Sequence, residues 1–171
     1  PYTIVKQAMT MDGYIATRSG HSQWISNPAA RAWVHQKRAE SDGILSTAQT
    51  VIQDNAQLTV RHVPLLNPEK PPVRIILDRH FRMNPLELAL FDDIDTQGPV
   101  WVITAHAGHN TIHAKEALNQ GARIIEVGDT PQGLDLQELM DTLGSEGITQ
   151  LWVEAGGTLC GQLLHQSLVD T

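Results

Sequence analysis

The chain has 171 residues, of which 41% are hydrophobic and 18% are charged. This composition is typical of one globular domain with a sizeable core. The formal net charge of -7 argues against nucleic acid as the main ligand, because binding to a phosphate backbone requires a basic surface.

Cysteine usage and hydropathy indicate the cellular setting. Cys160 is the only cysteine, which excludes an intrachain disulfide and fits a reducing compartment. No apolar run reaches the length of a membrane span, and no basic-then-apolar signal opens the chain. We therefore expect a cytoplasmic protein that contacts no membrane. The chain begins at Pro1 without methionine, so we expect a fragment or a processed product.

The first third of the chain predicts strands and helices in alternation. Tyr2–Met9 is typical of a buried strand, and the segment Ala8–Ser26 that it enters holds two glycine turns, a tryptophan and several hydroxyl residues. A connection of that length and chemistry is typical of an active-site loop. Asn27 and Pro28 then begin a helix that extends to Glu40, with Trp33 on its expected packed face. A strand over 43–46 and a helix over 47–54 follow.

The remaining two thirds continue the alternation. After a proline-rich surface connection over 63–72, the pattern predicts strands over 73–78, 99–104, 123–127 and 149–154, and helices over 111–119, 134–144 and 158–166. Apolar strands that alternate with helices predict an α/β fold, a three-layer α/β/α arrangement around a mostly parallel sheet. Ligands of such sheets bind outside the carboxyl ends of the strands.

The last strand and helix enclose a possible anion site. Glu154 ends the strand, and two glycines, Gly156 and Gly157, precede the helix. Glycines allow close approach of the backbone, and a helix N-terminus offers free N–H groups to a phosphate. The pattern is not Gly-x-Gly-x-x-Gly, so a simple tight turn stays an alternative. Glu154 is either a solvated residue at the sheet edge or an acceptor for a polar substrate.

Two arginines and three histidines carry further chemistry. Arg38 and Arg61 are each either surface residues or ligands of a substrate phosphate. His106, His109 and His113 lie close in sequence, but no cysteine or metalloprotease glutamate accompanies them. We interpret them as a solvated helix face and expect no metal site.

Taken in order, the motifs resemble one known family over nearly the whole chain. They are Met11-Asp12-Gly13-x-x-Ala16, Ser19-Gly20-x-Ser22-Gln23-Trp24-Ile25-Ser26, Arg38-Ala39-x-Ser41-Asp42-x-Ile44-Leu45, Thr50-Val51-x-x-Asp54, Leu58-Thr59-Val60-Arg61, Ile75-x-Leu77-Asp78 and Trp152-Val153-Glu154-Ala155-Gly156-x-Thr158-Leu159. This set resembles the reductase domain of the bacterial bifunctional riboflavin-biosynthesis deaminase/reductase, which has a dihydrofolate-reductase-like fold.

The resemblance implies a reaction, a cofactor and site residues. The reaction is the NADPH-dependent reduction of 5-amino-6-(5-phosphoribosylamino)uracil to the ribitylamino form. The residues implied to line NADPH are Ala8, Trp24, Thr50, Asp54, Gly156, Gly157, Thr158, Leu159, Cys160, Gly161 and Gln162. Those implied to hold the substrate are Ser22, Arg38, Leu58, Arg61 and Glu154. The resemblance also implies a homodimer and a zinc deaminase partner domain, which a chain with one cysteine does not contain.

The sequence departs from the family pattern at several positions. Asn55 follows Asp54 where the family has a second aspartate, and Arg79 stands where many members have a serine that contacts the cofactor. We hypothesise that Arg79 binds the 2′-phosphate of NADPH instead. The chain stops at Thr171, where the family continues, so we expect the last strands to be missing.

These departures leave two alternatives to the riboflavin-pathway reductase. One is a stand-alone reductase of a related pterin or pyrimidine compound. The other is a catalytically idle domain that binds a nucleotide or a partner subunit. Retention of Ser22, Arg38, Arg61 and Glu154 favours the reductase.

Overall fold

A computed structural model describes residues 1–15, 17 and 27–171. Within these residues, six strands form one sheet in the order β1-β8-β2-β3-β4-β5, and each neighbouring pair is parallel. The strands are β1 (Tyr2–Val5), β2 (Gly43–Thr47), β3 (Val73–Leu77), β4 (Val100–Thr104), β5 (Arg123–Glu126) and β8 (Gln150–Val153). A separate antiparallel pair consists of β6 (Asp129–Thr130) and β7 (Gly133–Leu134). The predicted parallel sheet is confirmed.

Helices connect the strands. They are α1 (Pro28–Ala39), α2 (Ala48–Asp54), α3 (Ile94–Gln97), α4 (His106–His109), α5 (Ile112–Asn119), α6 (Leu136–Ser145) and α7 (Gly157–His165). As predicted, the Asn27 side chain caps α1 by accepting a hydrogen bond from the Ala30 amide, with Pro28 in the first turn. None of the described helices is long and apolar enough to cross a lipid bilayer.

The core lies on both faces of the sheet because successive strand residues point to opposite sides. Ile44, Ile76 and Val102 belong to one buried cluster, which also includes residues of α2, α3 and α5. Leu45, Ile75 and Ile103 belong to the other, which includes residues of α6 and α7. Both faces are therefore covered, which confirms the predicted three-layer arrangement.

The N-terminal part of the fold corrects two predictions. The first strand ends at Val5 rather than Met9, and it lies at the edge of the sheet, so Tyr2 and Met9 are 51% and 56% exposed. On α1, Trp33 is 52% exposed although its ring meets the buried Trp152 edge to face at 5.7 Å, and Val34, Arg38 and Ala39 pack inward. The spacing of four between Val34 and Arg38 defines the packed face.

Further differences from the prediction concern the start of α6 and several short elements. The prediction began α6 at Leu134, but Asp135 accepts hydrogen bonds from the amides of Gln137 and Glu138 and so begins the helix at Leu136. Leu134 belongs instead to β7. The short helices α3 and α4 were also not predicted.

Candidate functional site

The site is built at the carboxyl edge of the sheet, where the ends of parallel strands meet. Glu154 directly follows β8, which lies between β1 and β2, one strand in from the edge of the sheet. Its backbone is fixed to β2, because its amide donates to the Leu45 carbonyl at 2.9 Å and its carbonyl accepts from Ser46 Oγ at 2.7 Å. This position makes Glu154 the reference point of the site.

The Glu154 carboxylate forms a two-point ion pair with Arg38 of α1. Arg38 Nε donates to Oε1 at 2.6 Å, and Nη2 donates to Oε2 at 2.9 Å. Trp152 Nε1 donates a third hydrogen bond, to Oε1 at 2.7 Å. The two charged side chains are only 11% and 16% exposed. The glutamate is therefore not a solvated residue of the sheet edge, which was one of the alternatives.

The protonation of Glu154 follows from these contacts. Burial alone raises the pKa of this carboxyl, but the hydrogen bonds and charge of Arg38, helped by Trp152, outweigh burial and hold the pKa below its ordinary value of 4.5. At neutral pH the pair is thus a carboxylate facing a guanidinium.

Two arginines fix the loop that carries the next predicted substrate residues. Arg38 Nη1 donates to the Thr59 carbonyl at 2.8 Å, and Arg74 Nη1 lies 3.4 Å from the Gln57 carbonyl. Leu58, between these two anchors, has a φ of +56° and is only 4% exposed. The Leu58 side chain is part of the core, so only its backbone can meet a ligand.

Arg74 is the buried support beneath that loop. The residue is 0% exposed, and it also donates to the carbonyls of Leu90 and Gly98 at 2.8 and 2.6 Å. Burial lowers the pKa of Arg74 to about 10, so the guanidinium is still charged at neutral pH. One arginine therefore joins the loop at residue 57 to two other irregular segments of the chain.

Arg61 lies at the end of the same loop, with an exposed side chain. Its amide donates to Nδ1 of His35, on α1, at 3.2 Å. The pKa of His35 is lowered by burial and by the nearby charges of Arg38 and Arg61. The structure thus gathers Arg38, Leu58, Arg61 and Glu154 into one region.

A second region lies at the glycine turn before α7. Gly156 takes the N-cap position and supplies no side-chain hydrogen bond to the helix. A Cβ atom added to Gly156 would meet no heavy atom of the described residues within 4 Å, whereas one added to Gly157 would lie 3.2 Å from Ile15 Cδ1. The first amides of α7 therefore face a turn with open space in front of Gly156, a geometry suited to an anion.

Most side chains of 158–162 face away from that opening. Leu159 and Cys160 are 5% and 7% exposed, and Gln162 Nε2 donates to the Gln132 carbonyl at 2.9 Å. The Cys160 side chain is therefore part of the core. A ligand at the turn would meet the backbone of this segment rather than its apolar side chains.

The other implied cofactor residues are more scattered. Thr50 lies in the first turn of α2, where its amide donates to Thr47 Oγ1 at 3.3 Å, and Asp54 is exposed at the end of that helix. Asn55 ends α2 in the left-handed conformation and accepts from the Ala89 amide at 2.9 Å. This departure from the family pattern therefore has a structural role. Ala8 follows β1, while Ser22 and Trp24 lie outside the described residues.

Arg79 already has a partner. Its Nε lies 2.6 Å from Asp129 Oδ1, and its Nη2 donates to the Thr130 carbonyl at 3.2 Å. Both residues are partly exposed, at 36% and 46%. An anion at this position would have to share the guanidinium with Asp129.

The histidines near α4 also have a carboxylate partner. Nδ1 of His106 and Nδ1 of His109 lie 2.9 and 2.5 Å from the Glu126 carboxylate. The His106 side chain is 86% exposed, as expected of a solvated helix face, and that of His109 is 39% exposed beside Glu126. Within the ranges 1–15, 17 and 27–171, no group of three or more His, Cys, Asp or Glu residues is placed to hold a metal ion.

Sequence reasoning missed three residues that build the site. Trp152 is two residues before Glu154, and this spacing puts both side chains on one face of a strand, a signal that could have paired them. His35 and Arg74 act through backbone atoms of residues 26 and 17 positions away, respectively. No local pattern in the sequence indicates those contacts.

The fold and this edge define the class of protein. A three-layer α/β domain with an open glycine turn and two arginines at the carboxyl ends of its strands is suited to a phosphorylated or nucleotide ligand. The chain belongs to the family of RibD C-terminal domains, whose family model matches residues 1–171.

Individual relatives agree with this assignment. The chain is 36% identical over 179 residues to the riboflavin biosynthesis protein RibD of Haemophilus influenzae, covering 99% of this chain and 45% of that protein. It is 34% identical over 162 residues to the 5-amino-6-(5-phosphoribosylamino)uracil reductase of Buchnera aphidicola, covering 90% and 73% respectively. The solved structure of Acinetobacter baumannii RibD superimposes with a TM-score of 0.81 at 32% identity, over 99% of this chain and 44% of that one. The chain thus spans less than half the length of the RibD relatives it matches.

Proposed function

We propose that this domain is a reductase of riboflavin biosynthesis that converts 5-amino-6-(5-phosphoribosylamino)uracil to its ribitylamino form with NADPH as the hydride donor. The Buchnera relative, which this chain matches over 73% of its length, is named as the reductase of that compound. The proposal assigns the substrate to one region of the carboxyl edge and the cofactor to the other.

The observation that carries the substrate assignment is the buried pair of Arg38 and Glu154. Three of the five N–H groups of Arg38 are used by Glu154 and Thr59. We assign its other two N–H groups, together with the exposed Arg61 side chain, to the ribose 5-phosphate of the substrate. Glu154 then holds Arg38 in place, and the second lone pair of its Oε2 atom is assigned to a polar group of the pyrimidine.

The cofactor assignment depends on the glycine turn. The amides at the start of α7 and the open space over Gly156 fit the pyrophosphate of a dinucleotide. Thr50, on α2, and Ala8, after β1, follow strands that flank β8 in the sheet. Gly156 itself leads from β8 into α7, so these residues belong to neighbouring connections at one edge.

In the proposed reaction, the role of the protein is to bind and orient the substrate and the cofactor. When bound, NADPH supplies the hydride that reduces the substrate. The residues described above bind and orient the substrate, and the buried ion pair keeps the carboxylate and guanidinium charged and fixed beside it. We assign no general acid or base among these residues.

The test is a spectroscopic assay of the purified chain. NADPH absorbance is followed after addition of 5-amino-6-(5-phosphoribosylamino)uracil, and the proposal expects oxidation that depends on this compound. Binding of NADPH without oxidation would favour the idle-domain alternative. Oxidation with another pterin or pyrimidine, but not with this compound, would favour the stand-alone reductase.

Three expectations from the sequence analysis stay predictions. They are homodimerisation, a cytoplasmic location, and cooperation with a zinc deaminase domain. Size-exclusion chromatography with light scattering tests the first of these directly.

A further inference from the structure

His35 forms a hydrogen bond with the backbone of Arg61. The residue lies on α1, three positions before Arg38, and its ring is partly buried. Nδ1 accepts the hydrogen bond of the Arg61 amide at 3.2 Å. This contact joins the helix that carries one proposed phosphate ligand to the loop that carries the other.

The loop has a strained backbone that needs such anchors. Leu58 and His62 both have positive φ values, +56° and +64°, which are uncommon for residues other than glycine. The carbonyls of Gln57 and Thr59 are held from below by Arg74 and Arg38. At the Arg61 end, the described backbone anchor is the bond to His35.

Charged and titratable groups surround the His35 ring. They are Arg38 on the same helix, Arg61 and His62 on the loop, and Glu154 after β8; the His62 ring meets that of His35 edge to face at 6.4 Å. Burial comes first among the causes that lower the pKa of His35, and the two arginines come next. Burial and the two arginines outweigh Glu154, which acts in the opposite direction, and favour the neutral ring, the form that can accept through Nδ1.

We propose that His35 is a positioning residue that holds Arg61 in the geometry for the substrate phosphate, and that this contact makes substrate binding sensitive to pH. The inference rests on the proposed function, since it assigns Arg61 to that phosphate. Protonation of His35 puts a hydrogen on Nδ1, which can then no longer accept from the Arg61 amide. The loop loses this anchor, and the affinity for the substrate falls.

Two substitutions distinguish the effect of losing the hydrogen bond from the effect of losing the imidazole ring. His35→Asn places an amide oxygen near the position of Nδ1 but does not titrate, whereas His35→Leu removes the acceptor. At neutral pH we expect the KM for the substrate to rise about fivefold in the leucine variant, the effect of one lost hydrogen bond, and to stay near the wild-type value in the asparagine variant. The kcat should change little in both, because His35 touches no reacting atom.

The pH profile is the decisive readout. As pH falls below the ordinary histidine value of 6.5, the wild-type KM should rise toward that of the leucine variant, while the asparagine variant should not follow. The substrate phosphate itself titrates near pH 6, but it does so equally for all variants, so the ratio of wild-type to asparagine KM isolates His35. His113→Asn, on α5, is the matched control and should behave as the wild type.

An NMR experiment keeps this inference separable from the proposed reaction. In the unliganded chain, 15N shifts of His35 should show the proton on Nε2 and an unprotonated Nδ1 at neutral pH, with titration below 6.5. A proton on Nδ1 at neutral pH, or wild-type and asparagine KM values that change alike with pH, would overturn the inference. A wild-type chain that shows the expected shifts but never oxidises NADPH with the substrate would contradict the proposed function alone.

Discussion

The two regions at the carboxyl edge are built in opposite ways. The region around Arg38 and Glu154 consists of buried charged side chains whose hydrogen bonds are made within the protein. The region around Gly156 consists of backbone, with open space where a side chain would lie. Removal of a side chain should therefore damage the first region and lower the stability of the fold, whereas addition of a side chain should weaken only ligand binding at the second region.

The largest expected effect is on stability, from the substitution Glu154→Ala. It leaves the Arg38 guanidinium buried without its carboxylate, which costs about 3–5 kcal/mol in the free energy of unfolding. Urea denaturation measures the loss.

The matched control is Glu146→Ala, which breaks another two-point pair, with Arg123, whose bonds are both 2.6 Å. That pair is 48% and 32% exposed, so its loss should cost far less than the loss of the buried pair. Equal losses in the two variants would show that burial does not distinguish the pairs.

The buried pair should also shape the dependence of stability on pH. Because the folded-state pKa of Glu154 lies below the ordinary 4.5, ionisation of this residue contributes stability that is complete above that value and is lost as pH falls through the folded pKa. The difference in unfolding free energy between wild type and Glu154→Gln should be constant near neutral pH and shrink in acid. A difference that grows in acid would have the wrong sign for this account.

At the glycine turn, the expected effect is on the cofactor. Gly156 has a φ of -70°, which alanine also adopts, and an added methyl group meets no atom of residues 1–15, 17 or 27–171 within 4 Å. Gly156→Ala should therefore leave the melting temperature unchanged and raise the Kd for NADPH about tenfold, ~1.4 kcal/mol, by occupying the space assigned to the pyrophosphate.

Gly144→Ala is the control for a methyl group added to glycine. Gly144 lies within α6, where an added Cβ makes an ordinary contact of 3.9 Å with Pro1. It should raise stability by about 0.5–1 kcal/mol through helix propensity and leave NADPH binding unchanged. A tight NADPH complex in the Gly156 variant would remove the turn from the cofactor site.

The smallest expected effect concerns Arg79, which is shared with Asp129. Arg79→Ala should reduce the preference for NADPH over NADH only about threefold. The reason is that the ion pair between Arg79 and Asp129 is partly exposed, and that Asp129 already neutralises the charge of Arg79. Asp129→Asn should change the preference in the opposite direction by releasing the guanidinium. Steady-state kinetics with both cofactors measure this, and an unchanged preference in both variants would exclude Arg79 from 2′-phosphate binding.

The sequence predicted the sheet well because parallel strands are buried on both faces. Runs such as Ile75–Leu77 and Val100–Ile103 are apolar without interruption, and each lies in a strand that the sequence predicted. The short elements were missed because two to four residues, as in β6, β7, α3 and α4, are too few to show a period. The length of β1 was overestimated because the composition of Tyr2–Met9 does not show that the strand lies at the sheet edge or that it ends at Val5.

Part of the site could also be predicted, because some of its residues belong to recognisable sequence motifs. Arg38, Leu58, Arg61 and Glu154 belong to motifs, and the structure gathers them, although Arg38 and Glu154 are 116 residues apart. The burial of their charges could not be predicted, because it depends on how α1 packs on the sheet. The same holds for His35 and Arg74, whose partners are backbone atoms of a distant loop.

The central claim is that the two regions bind two different ligands, and one paired measurement tests it most directly. The Kd for NADPH and the KM for 5-amino-6-(5-phosphoribosylamino)uracil are determined for Gly156→Ala and for Arg61→Ala. The account predicts that the glycine variant weakens NADPH alone and that the arginine variant weakens the substrate alone. If both variants weaken the same ligand and leave the other unchanged, the division of this edge into two sites is wrong.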